Sequence, residues 1–154
     1  MLVVSACLAG INCRYDGGHQ LIKKINELVE QRKAIVVCPE VLGGLDTPRE
    51  PAEIVGGSGE DVLDGKAKVI NRLGEDVTDS FIKGAYETLK RVKEVGATAV
   101  VLKENSPSCG SNMIYNGNFS NEKVSGEGVT AALLRKEGIN VLSEAEMHTL
   151  FEKE

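Results

Sequence analysis

The 154-residue sequence has two histidines, no clustered run of lysine and arginine, no apolar stretch of membrane-spanning length and no internal repeat. Each lack removes a class of protein. His19 and His148 share no Cys/His spacing of the zinc-finger kind. A net charge of -5 and the lack of a basic face leave no electrostatic grip on a nucleic-acid tract. The opening MLVVSACLAG carries no basic leader and soon meets Gly10, Asn12, Cys13 and Arg14, so it is too short for export or for a membrane span. A cytoplasmic protein without a membrane partner is expected. In that reducing compartment the four cysteines read as thiols, metal ligands or redox groups rather than as a disulfide framework. With 42% hydrophobic and 27% charged residues, the length suits a single domain over residues 1–154.

Hydrophobic patterning supplies the order of elements. Met1–Ala6, Ala34–Val37, Ala97–Leu102 and Ile139–Leu142 are short apolar runs rich in β-branched residues, the pattern of strands buried on both faces. Between them His19–Lys33 repeats apolar residues three and four apart at Leu21, Ile22, Ile25, Leu28 and Val29. A second helix is predicted from a cap at Asp76 or Thr78 to about Glu94, stopped by Gly96, and a third over Thr130–Lys136, stopped by Gly138. Ser143 and Glu146 have the spacing of a capping box opening a terminal helix. Asp64-Gly65 and Asn116-Gly117 signal two hairpins, and the glycine- and proline-rich stretch Glu40–Asp61 reads as a long shaped loop. Strands alternating with helices predict a three-layer, Rossmann-like α/β fold with a parallel sheet and small β-hairpin insertions.

In such a sheet ligands bind beyond the carboxyl ends of the strands. Cys7, Cys38 and Cys109 each follow a predicted strand, so three thiols are expected at one rim. Thiolates are soft donors that favour iron-sulfur clusters, zinc or copper(I), and three on a cubane leave one iron open. A free cysteine is also a common small core residue, and Cys13 offers a fourth thiolate that would close the site. Glu40, two residues after Cys38, is a candidate proton carrier or an exposed loop carboxylate. Ser106 and Ser108 can bond substrate or cluster sulfur, or simply shape a turn. Arg14, Asp16 and Arg49 are weaker candidates for a polar ligand. Gly126-Glu127-Gly128-Val129-Thr130 before a helix can present amides to an anion or form a tight connection. Cys7-Leu8-Ala9-Gly10 lacks the G-x-G-x-x-G phosphate turn, which weakens a nucleotide-binding reading.

Ser5-Ala6-Cys7-Leu8, Cys13-Arg14-Tyr15-Asp16-Gly17, Cys38-Pro39-Glu40, Gly43-Gly44-Leu45, Pro48-Arg49 and Ser106-Pro107-Ser108-Cys109-Gly110 together resemble the thiouracil desulfidase family. The likeness spans nearly the whole chain. It implies a 4Fe-4S cluster on Cys7, Cys38 and Cys109, with Cys13 spare, and catalytic roles for Glu40 and Ser106. The activity it implies is removal of sulfur from a small thiolated pyrimidine such as 2-thiouracil at the open iron. Such a cluster is expected to be oxygen-labile and absent from protein purified in air. The competing reading is a non-catalytic iron-sulfur or zinc module for redox sensing, sulfur supply or partner binding. The carboxylate beside Cys38 favours the enzyme.

Overall fold

The structure is a computed structural model that describes residues 2–5, 19–45, 50–102, 107–110, 112–143 and 146, without the side chains of residues 19–24. Four short strands form its central sheet: β1 (Leu2–Ser5), β2 (Ala34–Val37), β5 (Ala99–Leu102) and β8 (Asn140–Ser143). They run parallel in the order β2-β1-β5-β8. Ser5 pairs with Val37, Val4 with Val101, and Leu102 with Ser143, so the strands end nearly level.

Because side chains alternate along a strand, each face collects its own set. Val3, Val37, Val100, Leu102 and Val141 share a core cluster with residues of α4 (Thr78–Val95) and α5 (Val129–Lys136). Phe81, Ala85, Leu89 and Val92 form the buried stripe of α4, spaced for one helical face. Removing Phe81 from water contributes on the order of 1.5–3 kcal/mol. On the opposite sheet face Val4, Ala34 and Val101 pack with Ile25, Leu28 and Val29 of α1 (His19–Glu30). Helices on both faces of a parallel sheet make the expected three-layer α/β fold.

The chain leaves β1 for β2 on one side and returns to β5 on the other. The strand order thus changes direction between β1 and β5, and in open α/β sheets such a switch point is where ligands bind.

Among the described residues, two antiparallel pairs accompany the central sheet. β6 (Met113–Tyr115) and β7 (Lys123–Ser125) form a hairpin containing Asn116-Gly117, as expected, but with a seven-residue loop. Glu53 is the reason the loop is shaped this way. Its buried Oε1 accepts hydrogen bonds from the amides of Gly117 (2.9 Å) and Phe119 (3.3 Å). Glu53 belongs to β3 (Ala52–Val55), which pairs with β4 (Lys68–Asn71).

That pairing corrects two expectations. Glu40–Asp61 is not one long loop: it holds β3, most of the short helix α2 (Pro39–Leu42) and the start of α3 (Gly59–Leu63). Asp64-Gly65 is not a hairpin turn either. Asp64 caps α3 and Gly65 follows at φ +78°, since a left-handed residue ends a helix as readily as it turns a hairpin. At α4, Asp76 accepts the Thr78 amide at 2.9 Å, while the Thr78 hydroxyl accepts the Val69 amide of β4. Ser143 and Glu146 interact as the capping-box spacing predicts, the Ser143 amide and hydroxyl both donating to Glu146 Oε1. The rest of the expected terminal helix lies outside the described residues.

Candidate active site

The strands that lead to the three singled-out cysteines are neighbours and point the same way. Cys38 directly follows Val37, the last residue of β2, in extended backbone (φ -124°, ψ 102°). It is half-buried and its thiol is free. Pro39 then starts α2, where its missing N–H is no loss because the first helical amides have no partner within the helix. Glu40 is therefore in the first turn of α2, where the helix dipole favours a carboxylate, and it is half-buried. Only Pro39 separates it from Cys38, so the two residues are neighbours at the start of α2.

Cys109 lies seven residues past the end of β5, in the turn Pro107–Gly110, and is 3% exposed. This turn is docked on the first turn of α5. The amides of Val129 and Thr130 donate to the carbonyls of Pro107 and Ser108, each at 2.8 Å, and the Ala131 amide reaches Ser108 at 3.2 Å. Below them the hydroxyls of Ser108 and Thr130 meet at 2.7 Å, with both residues fully or almost fully buried. Backbone carbonyls thus occupy the α5 amides, and Gly126–Thr130 forms the tight connection rather than an anion cradle.

An open cleft of about 370 Å³ adjoins Cys38, lined by Val36, Val37, Val41 and Leu42 and by Glu87, Lys90, Arg91 and Glu94 of α4. Its size is in the range of small-molecule pockets. Among the described residues no group of three His, Cys, Asp or Glu side chains stands close enough to hold a metal ion. Cys7, Cys13, Arg14, Asp16, Arg49 and Ser106 lie outside the described residues.

The donor set nevertheless suits a cluster. Two cysteines, one half-buried and one buried, follow parallel strands on either side of β1, and Cys7 follows Ser5 by two residues in the sequence. Sequence reasoning took Gly43 and Thr130 only as parts of longer motifs and missed Gly84. A glycine inside a strongly periodic helix, costing about 1 kcal/mol relative to alanine, was the signal for Gly84.

Among the described residues no helix is long and apolar enough to cross a membrane. Residues 2–146 match the model of the 2-thiouracil desulfurase family. The uncharacterized protein YbbK of Bacillus subtilis (strain 168) is 57% identical over 150 residues, which is 97% of this chain and 99% of that protein. The solved structure of the 4Fe-4S-dependent thiouracil desulfidase TudS superposes with a TM-score of 0.79 at 38% identity, over 99% of this chain and 95% of that one. A match across both whole chains, on a shared parallel-sheet architecture, places this protein in the 2-thiouracil desulfurase family, whose members are enzymes that remove sulfur.

Proposed function

We infer that this chain is a cytoplasmic iron-sulfur-dependent desulfidase acting on a small thiolated pyrimidine such as 2-thiouracil. The observation that supports the reading is the strand order: β2, β1 and β5 are adjacent and parallel and end at one rim, and Cys38, Cys7 and Cys109 follow them in the sequence. In this reading those three thiolates hold a 4Fe-4S cluster and Cys13 does not. When bound, the cluster supplies an iron without a protein ligand, a Lewis acid for the substrate's sulfur. The net reaction exchanges C=S and water for C=O and hydrogen sulfide, so no external electron donor or acceptor is needed.

The chain's own residues supply positioning and proton transfer. Glu40, held by α2 beside Cys38, takes the proton from the water that attacks the ring carbon. Ser106 hydrogen-bonds the substrate and orients its ring. Residues 1–154 act as one domain in this scheme. Support comes from the main core cluster, which joins Ile54, Val69 and Ile114 of the two antiparallel pairs to the central sheet.

The test is anaerobic reconstitution with iron and sulfide, followed by iron per chain for the wild type and each cysteine-to-serine variant, then sulfide release from 2-thiouracil. Dependence on Cys7, Cys38 and Cys109 alone, with sulfide released, is the expected result. A cluster that forms without any one of the three overturns the ligand assignment. A loaded protein that releases no sulfide overturns the substrate.

A further inference from the structure

Each described cysteine adjoins a residue whose backbone rests directly on a glycine: Pro39 on Gly84 and Ser108 on Gly128. At Gly84, inside α4, a Cβ would strike the carbonyl oxygen of Pro39 and lie 2.9 Å from the Pro39 carbonyl carbon. The contact is reciprocal: a Cβ on Gly43, at the end of α2, would strike the Ser80 carbonyl and lie 3.1 Å from the Gly84 amide nitrogen. At Gly128, just before α5, a Cβ would lie 2.5 Å from both the carbonyl carbon and the oxygen of Ser108.

Neither Gly84 nor Gly128 needs glycine for its backbone angles. Gly84 is helical, and Gly128 has φ -75° and ψ 171°, open to any residue. Close approach is what excludes a side chain at these two positions. The residues approached are Pro39, which follows Cys38, and Ser108, which precedes Cys109. Each contact is also anchored: the Pro39 oxygen accepts the Gly43 amide, the Gly84 carbonyl accepts the buried Thr88 hydroxyl at 2.8 Å, and the Gly128 amide donates to Gly110. α4, which contains Gly84, packs against α5, which Gly128 precedes, so one helix pair links the two contacts.

We propose that Gly84 and Gly128 are positioning residues that set the separation of Cys38 and Cys109, so that both thiolates reach one cluster. This rests on the ligand assignment above. Alanine forces an opening of at least about 1 Å at Gly84 and about 0.5 Å at Gly128, at or beyond the roughly 0.5 Å tolerated by a preorganised site. Helix propensity alone would favour alanine at residue 84, so a loss there cannot come from the helix.

The experiment compares wild type, Gly84→Ala, Gly128→Ala and Val69→Ala, the last a buried substitution in β4, outside both turns. Each is reconstituted anaerobically well below its melting temperature, and the visible absorption band is followed after addition of an iron chelator. The glycine variants are expected to lose the band about tenfold faster than wild type, the scale of losing a residue that orients a ligand. Val69→Ala, though less stable, should release iron at the wild-type rate. Wild-type release rates in both folded glycine variants overturn the proposal, as does equal acceleration in Val69→Ala. A wild type that takes up no iron overturns the ligand assignment and this proposal with it.

Hydrogen exchange on the metal-free wild type makes the test independent of whether the variants fold. The amides of Gly43, Gly128 and Thr130 should already be protected without metal. Fast exchange there would show turns ordered by the cluster rather than by the glycines, and would also overturn the proposal.

Discussion

Replacing Thr130 by valine tests whether the Cys109 turn is held by its polar contacts with α5. Valine keeps the volume and differs little in helix propensity, and the backbone amides that bind Pro107 and Ser108 are untouched. What disappears is the hydroxyl 2.7 Å from that of Ser108, at a site where Thr130 is 0% and Ser108 1% exposed. Loss of one partner from a buried polar pair costs about 1–3 kcal/mol. For a chain of this length each kcal/mol corresponds to about 2–4 °C, so a loss of about 2 kcal/mol lowers the melting temperature by about 4–8 °C. Ser108→Ala combined with Thr130→Val should cost less than the sum of the two, with a coupling of about 1 kcal/mol.

The same loss should loosen the turn locally. Alkylation of Cys109 in the metal-free protein, if it proceeds through local opening, should accelerate about tenfold for each 1.4 kcal/mol lost. The assays are thermal and urea unfolding and mass-resolved alkylation kinetics. A melting temperature within about 1 °C of wild type, or strictly additive single substitutions, would refute the coupling of these hydroxyls.

Four other outcomes are expected. Glu53→Ala removes a buried acceptor from the Gly117 and Phe119 amides and should cost about 2–4 kcal/mol, with rapid hydrogen exchange confined to the β6–β7 loop; an unchanged loop would rule out the anchor. Glu40→Gln should keep full iron content but lose most sulfide release, and near-normal turnover would remove Glu40 from the mechanism. Cys13→Ser should retain the cluster's absorption band, whereas its loss would reveal a fourth ligand.

The last concerns acid. Hydrogen bonds from Thr78, aided by the nearby Lys68 ammonium, hold the Asp76 carboxyl below its ordinary 3.8. A lowered folded value stabilises the native state above the ordinary value and is lost as pH falls through the folded one. The stability gap between wild type and Asp76→Asn should therefore shrink on acidification below pH 3.8. A gap independent of pH contradicts it.

Much of the architecture was legible because it is encoded locally. The strand Ala34–Val37, the helix running to about Glu94 and its Gly96 stop are each readable within a few residues and each is present, and the predicted run Ala97–Leu102 contains β5. Local reading failed where a signal has two structural uses. Asp64-Gly65 serves a helix end instead of a hairpin, and β3 hid within a glycine- and proline-rich stretch because its partner β4 lies beyond an intervening helix. The candidate site divides the same way. Cys38 and Glu40 were legible as a unit because one turn joins them. The packing of Pro39 on Gly84, of Ser108 on Thr130, and of Glu53 beneath a distant loop was not, because each contact spans tens of residues.

By itself the sequence determined that the strands are buried and parallel, that cysteines follow three of them, and which family pattern the ordered motifs share. Alternating period and turn chemistry act over short range and survive in a linear reading. Only the tertiary structure decided that β2, β1 and β5 are neighbours, that the amides of α5 are occupied, and that two glycines carry the cysteine turns. Those outcomes depend on which surfaces meet once the core closes, and close packing makes them sensitive to single atoms that sequence patterns do not record.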